Sequence, residues 1–319
     1  MKSTLKKSVI NAAATIGVGM LSGKENLLFV GRVKNALLFA VVFAAARFAC
    51  SEWVRTSNAT DVFDLCKKSF GKLGKIAYGM LLLTNVVIVI AILGGAEFAL
   101  RSLTVDLPLP TFGIAVCAVS VTLGCVGNKP LAVLSEVCVV LSVAAVVLLS
   151  KGNLPASYGA KPTSTVIYAL FCAATLVGTD CKMPCRSSGD SLATALLTSV
   201  FVGVTVALVA LLGGISKTTN TAVEVVVTVC FVLSASTGVY AVSRAPLEFA
   251  EKLLHDKPLA EYVFFTLCLA AAMLDVDTLI EGSYTFTAIS TTTLLLVSFA
   301  LKVRKNALKQ HKFRLLCVK

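Results

Sequence analysis

Histidine and tryptophan are almost missing from this 319-residue chain, with two of the first and one of the second, and acidic side chains number only 17. Each shortage removes a class of function. His255 falls in a connecting segment and His311 in the basic tail "KVRKNALKQHKFRLLCVK", so no Ser/His/Asp set can converge at one depth of the fold. No glycine-rich phosphate loop occurs either, and catalysis is not expected. The eleven cysteines lack the paired spacing of a disulfide framework, and most lie in apolar stretches where a thiol behaves as a small hydrophobe. Cys181 and Cys185 in "CKMPC" are the nearest pair, but with no histidine beside them they read as structural rather than as a zinc site. Charged residues make up only 14%, too few to coat a soluble domain.

What the chain has instead is apolar surface: 57% of residues are hydrophobic and the mean hydropathy is +0.87. Apolar stretches of roughly 18 to 25 residues recur along it, the length that crosses a bilayer as a helix. About ten candidate spans fall near 8–30, 36–54, 76–100, 111–127, 130–149, 164–188, 192–213, 223–243, 259–276 and 280–303. The fold class is therefore all-α and polytopic, a single membrane domain over 1–319 with no soluble domain of useful size. The opening "MKSTLKKSVINAAATIGVGM" reads as a first transmembrane helix rather than a cleaved signal, since many spans follow it. The longest connection, 55–75, carries "DVFDLCKKSFGKLGK" and has the composition of a short interfacial helix.

The net charge of +12 matters less than its placement. With ten spans and an inside N-terminus, roughly 21 of the 29 Lys and Arg fall on the inner side and about six in outer loops, which puts both termini in the cytoplasm across a plasma membrane. The tail, 306–319, then anchors near anionic headgroups, and lipid rather than nucleic acid is the expected partner.

Two spans are defective. "IGVGMLSG" at 16–23 puts three glycines and a serine into the first apolar run, followed by Lys24 and Glu25. The sixth, "STVIYALFCAATLVGTDCKMPCRSSGDS", supplies only about 15 apolar residues before Gly178, Asp180 and Lys182, too few for roughly 30 Å of hydrocarbon. Cutting the chain in the 150–163 loop gives two halves of five spans, 1–150 and 164–305, each opening on its defect. An odd number of spans per half inverts one against the other, and paired interrupted helices in inverted repeats point to a solute site near the midplane. Freed N–H groups at such breaks can hold an anion and freed carbonyls a cation. The residues placed there are Gly17, Gly19, Ser22, Gly23 and Glu25 in the first half, and Thr175 and Gly178 in the second. Gly19 and Gly23 also have the small-xxx-small spacing of close helix packing, and Glu25 has a second role open to it, capping the outer half-helix.

"IGVGMLSGKENLLF" resembles the Gly-x-Gly-x-x-Ser-Gly-x-Glu signature of the YkvI-type membrane proteins, a branch of the amino acid–polyamine–organocation superfamily. "VIAILGGAEFALRSLTVDLPLP" (88–110) is similar to that family's third span and loop, "TLGCVGNKPLAVLSEVCVV" (122–140) to its fourth-to-fifth turn, and "LSASTGVYAV" (233–242) to its eighth span. The resemblance implies a LeuT-type fold of five plus five inverted spans, with helices one and six discontinuous. It also implies a sodium site made by carbonyls at the first break, near Gly17 and Met20, with the Leu233 carbonyl and the hydroxyls of Ser236 and Thr237 on span eight. The alternative for those hydroxyls is bonding back to their own helix. "ALFCAATLVG" departs from the family pattern by lacking polar residues at the sixth-span break.

Buried charge offers a second route to ion coupling. Glu136 lies about seven residues into span five and Arg47 about seven residues before the inner end of span two, so the two share a depth and are expected to pair. Unpaired, Glu136 would be a proton carrier. Glu97, near the outer end of span three, is expected to reach the headgroups. Together these readings imply a secondary transporter of a small solute, an amino acid or related amine, with Na+ or protons as coupling ion and no other cofactor. The rival reading is a non-transporting receptor or assembly subunit on the same fold, of the spore-germination kind.

Overall fold

Short signals set where the helices begin and end. Asp61, in extended backbone, accepts from the Asp64 amide at 2.8 Å and starts helix α3, Val62–Phe70, which stops where Gly71 turns to a positive φ of 59°. Asp256 does the same for Lys257–Ala272, accepting from the Leu259 amide at 3.0 Å, with a proline in the first turn. The computed structural model describes residues 2–16, 20, 26–31, 33–103, 110–126, 160–212, 221–273 and 284–301, with isolated positions at 137, 140, 141, 144, 147 and 282.

In chain order the helices are α1 (Lys2–Thr15), a π-helical turn (Asn26–Val30), α2 (Val33–Ser57), α3, α4 (Gly74–Leu103), α5 (Thr111–Val126), α6 (Pro162–Ala174) and α7 (Val177–Lys182). There follow α8 (Ser188–Leu212), α9 (Thr221–Leu254), α10 (Lys257–Ala272) and α11 (Tyr284–Leu301). Among the described residues six segments are long and apolar enough to cross a bilayer: Val33–Ser57, Val62–Glu97, Pro162–Lys182, Ser188–Leu212, Glu224–Leu254 and Tyr284–Leu301. The protein is an all-helical, multi-pass membrane protein. Its outward side chains fit that solvent, with Leu37 71%, Leu267 66% and Phe299 69% exposed.

Two groups of helices pack against each other. In one, α2 is central, touching α6 and α8, and α1 lies on α8; in the other, α9 is central, touching α4, α5 and α10. α1 and α7 cross over to α9, while α3 rests on α4 and reaches α7. The segment read as an interfacial helix is thus a strut: Val62, Leu65, Cys66 and Phe70 are its buried stripe, and Asp64 and Lys68 pair on the outer side at 2.6 Å. Glu97, expected at the headgroups, is instead buried and joins helices. It accepts from the Gly113 amide at 2.8 Å in the first turn of α5 and from Arg101 at 2.9 Å, so the carboxylate satisfies a helix N-terminus that lipid could not. Pro246 inside α9 removes the hydrogen bond that the Val242 carbonyl would otherwise accept.

α2 and α8 approach closely because both are small where they cross. A Cβ on Gly203 would sit 2.9 Å from the Ala40 Cβ, and the Ser199 hydroxyl donates to the Ala40 carbonyl at 2.6 Å. Gly203→Leu is therefore expected to force the two apart, at about 1–3 kcal/mol. A thermal melt in detergent should show the loss, and an unchanged midpoint would mean that the crossing carries no packing load.

Candidate functional site

The end of α1, the middle of α4, the last turns of α6, the centre of α9 and the start of α11 converge on one enclosed space. It is a cavity of about 40 Å³, with Thr15, Ile92, Phe171, Thr175, Ser234 and Gly238 among its walls. α6 ends beside it: Thr175 and Leu176 are turn residues, and helix resumes as the six-residue α7. Thr175 turns its hydroxyl back to the Cys172 carbonyl at 2.8 Å, and Thr15 turns its own to the Asn11 carbonyl at 2.8 Å. Among the described residues no charged side chain lines the cavity.

Aromatic rings close one side. Phe171 stacks on Tyr284 with centroids 3.9 Å apart, Tyr168 lies 5.9 Å from Tyr284, and Phe29 of the π-helical turn stacks on Tyr168 at 5.3 Å. Thr165 donates to the Phe29 carbonyl at 2.8 Å, fastening that turn to the beginning of α6. Asn11, one turn before Thr15 on α1, is fully buried, and neither side-chain atom has a partner among the described residues.

α9 meets α1 through a hydroxyl other than those expected. Ser234 donates to the Ile16 carbonyl at 2.6 Å, just past the last turn of α1. Ser236 points to the other flank, donating to the Val232 carbonyl at 2.6 Å and the Val116 carbonyl of α5 at 3.2 Å, while Ser120 returns a bond to the Ser236 carbonyl at 3.2 Å. Thr237 bonds back to the Ser234 carbonyl at 2.8 Å. The reason is angular. Positions 234 and 238 share one face of a helix, and position 236 lies roughly 200° from 234. Leu233 is half-buried and away from the cavity, and Met20 is buried in the central core. Gly178 lies beyond the cavity, facing the Ala241 carbonyl and Val62, each about 4 Å from where its Cβ would be. Gly17, Gly19, Ser22, Gly23, Glu25 and Glu136 lie outside the described residues.

The buried arginine has a partner other than the one expected. Arg47 grips Asp180 of α7 with both terminal nitrogens, at 2.6 and 2.7 Å, and Ser51 adds a bond at 3.2 Å. Lys7 of α1 reaches the same carboxylate at 3.1 Å and donates to the Cys185 sulfur at 3.0 Å. Arg47 and Asp180 are wholly buried, so a bidentate, charge-assisted pair replaces water that neither can reach. The cluster binds α1, α2 and α7 together below the cavity, and it is the residue Asp180, read only as a polar interruption of span six, that organises it.

No family model matches the chain, and no curated protein sequence does. Similarity appears in three dimensions: a crystal structure of MhsT in complex with L-phenylalanine matches over 92% of this chain and 87% of that one, with a TM-score of 0.65 at 12% identity. The chain has a LeuT-type fold.

Proposed function

We propose that the protein is a secondary active transporter of a small solute, an amino acid or a related amine, working by alternating access and coupled to sodium or protons. The observation that carries this reading is the enclosed cavity at the interrupted end of α6, reached by α1, α4, α9 and α11, on a fold shared with a protein solved in complex with L-phenylalanine. The architecture it assumes is ten spans in two inverted repeats, 1–150 and 164–305, with discontinuous first and sixth helices and a basic cytoplasmic tail, 306–319, in a plasma membrane. In this reading solute is held between Gly17, Gly19, Ser22, Gly23 and Glu25, which follow Ile16 in the sequence, and Thr175 in the cavity wall. A cavity of about 40 Å³ has room for only a few water-sized groups, so in this reading an amino acid needs the aromatic wall to part. Asn11 supports the reading, because an unpartnered buried amide is costly unless solute or water meets it. Binding of radiolabelled amino acids to purified protein, with and without sodium, is the direct test, and no binding by any of them in either medium would sink the proposal.

The contact that joins α9 to α1 supports an ion site. Ser234 and the Ile16 carbonyl offer two oxygens just past the last turn of α1, and the proposed site would add the carbonyls of Gly17 and Met20. A cation there would turn the Ser234 hydroxyl into an acceptor and would favour one access state by its difference in affinity. Sodium, and not potassium, is expected to raise the thermal midpoint; Ser234→Ala should remove the gain, and the pair Ser236→Ala and Thr237→Ala should leave most of it. The reverse pattern would return the ion to Ser236 and Thr237. Absence of any sodium effect, with uptake driven by a pH gradient and lost in Glu136→Gln, would make protons the coupling ion.

A further inference from the structure

The face of α9 turned away from the central cavity encloses a second, larger one. Tyr240, Arg244 and Glu251 line it from α9, and Lys257, Glu261 and Phe265 from α10, around a volume of about 280 Å³. Its three cations, Lys182, Arg244 and Lys257, and three carboxylates, Glu248, Glu251 and Glu261, balance in number but are not all paired with one another. Glu248, one turn after Arg244, is taken by Lys182 of α7 at 2.9 Å. That leaves Arg244 with only Tyr240: one terminal nitrogen donates to the phenol oxygen at 2.5 Å, and the guanidinium carbon lies 4.8 Å from the ring centre. Among the described residues no carboxylate lies within ion-pair distance of Arg244, so the rest of its planar donor fork is open. Glu251 has no cation partner among the described residues, and Glu261 has Lys257 only at 3.9 Å, the outer edge of an ion pair.

Two under-paired cations, Arg244 and Lys257, and two under-paired carboxylates, Glu251 and Glu261, thus share one cavity, with Phe265 as an apolar part of its wall. We infer that this cavity is a binding site for a small zwitterion of the α-amino acid type, its carboxylate on Arg244, its ammonium between Glu251 and Glu261, and its side chain against Phe265. The geometry allows it: Arg244 and Glu251 are seven residues apart on α9, roughly 10 Å of rise, which two long side chains and a ligand with opposite charges a few ångströms apart can bridge. Forked donors suit a carboxylate, and a purely anionic ligand would face two glutamates. The site is separate from the central cavity, whose α9 wall is Ser234, Gly238 and Val242. It therefore stands whether or not the protein transports. Where the central site does carry an amino acid, a second copy here would sense the solute from the side on which Lys182, Lys257 and the α9–α10 turn lie.

The test is protection of a thiol placed in the wall. Leu247→Cys puts one on the half-buried α9 position between Arg244 and Glu251, and alkylation there is followed by mass spectrometry on the full-length protein in detergent. A mixture of the twenty L-amino acids should slow alkylation at 247, by roughly ten-fold at about ten times the Kd, and the corresponding amino acid amides, which lack the carboxylate, should not. Glu251→Gln, an exposed change that leaves the fold intact, should remove the protection, as should Arg244→Gln. Gly238→Leu, which fills the central cavity, should leave it. No protection by the mixture, equal protection by the amides or by inorganic phosphate, or loss of protection in Gly238→Leu would each overturn the assignment. Failure of central binding with protection at 247 intact would count against transport alone.

Discussion

Asp180→Asn should be the most damaging single substitution on α7, lowering the thermal midpoint of purified protein and its yield from membranes. Among the described residues the carboxylate is the only anion paired with Arg47, at 2.6 Å, and Lys7, at 3.1 Å. An amide cannot accept from both without leaving positive charge buried, and stranding one member of a buried pair costs about 3–5 kcal/mol. The two cations are not equivalent. Arg47 is wholly buried, keeps its charge and grips the carboxylate with two nitrogens, whereas Lys7, in the second turn of α1, is 8% exposed and reaches it with one longer contact. Removing the arginine as well, in Arg47→Met with Asp180→Leu, should therefore recover a large part of the loss, while Lys7→Met with Asp180→Asn should recover less. Losses that simply add in the first double variant would mean that the pair is not the unit of stability.

In a Glu251→Gln background, where the α9–α10 cavity no longer holds solute, Gly238→Leu should abolish the remaining, central solute binding while the protein still inserts and runs as a single species in size-exclusion chromatography. A Cβ at 238 would meet the Ala14 carbonyl and Ile92 at 3.5 Å each, which is ordinary contact, so the first carbon is tolerated. The remaining three carbons of leucine have only the cavity to enter, and about 40 Å³ is consumed by them. Affinity is expected to fall by at least about a hundred-fold, some 2.7 kcal/mol, with Gly238→Ala close to unchanged. Retained binding in Gly238→Leu would place the solute elsewhere than between α1 and α9.

Much of this was readable before any coordinates, because it depends on local quantities. Hydropathy runs locate the six described spans whatever their neighbours are, and the shortage of apolar residues before Gly178 falls just after the turn at Thr175 and Leu176. The composition of "DVFDLCKKSFGKLGK" announces the short helix α3 in the same way. Residue depth, too, follows from counting, and it correctly buries Arg47. Counting along helices cannot say which helices are neighbours, however, and Asp180 is 133 residues away on an element that packs against α2 only in the folded chain. The same limit applies to α9. "LSAST" offers three hydroxyls, and which of them faces α1 is a matter of helix rotation, set by where α5 lies. Ser234 and Gly238, small residues one turn apart, were the available signal of a close approach, outweighed by the adjacent Ser236 and Thr237.

Trp53 is the single tryptophan of the chain, and the structure puts it at a working joint. Its indole nitrogen donates to the Ser69 hydroxyl at 2.8 Å and its ring meets the edge of Phe70 at 6.1 Å, so it is clamped between α2 and the end of α3. Tryptophan emission excited at the red edge of its absorption therefore comes from that joint alone. If α3 lifts from α2 when the protein changes its access state, the indole loses a hydrogen bond and a dry neighbour together, and the emission moves to longer wavelength. The native chain thus contains its own optical probe of the strut, readable without a label and in the same cuvette as any of the solutes or salts discussed above.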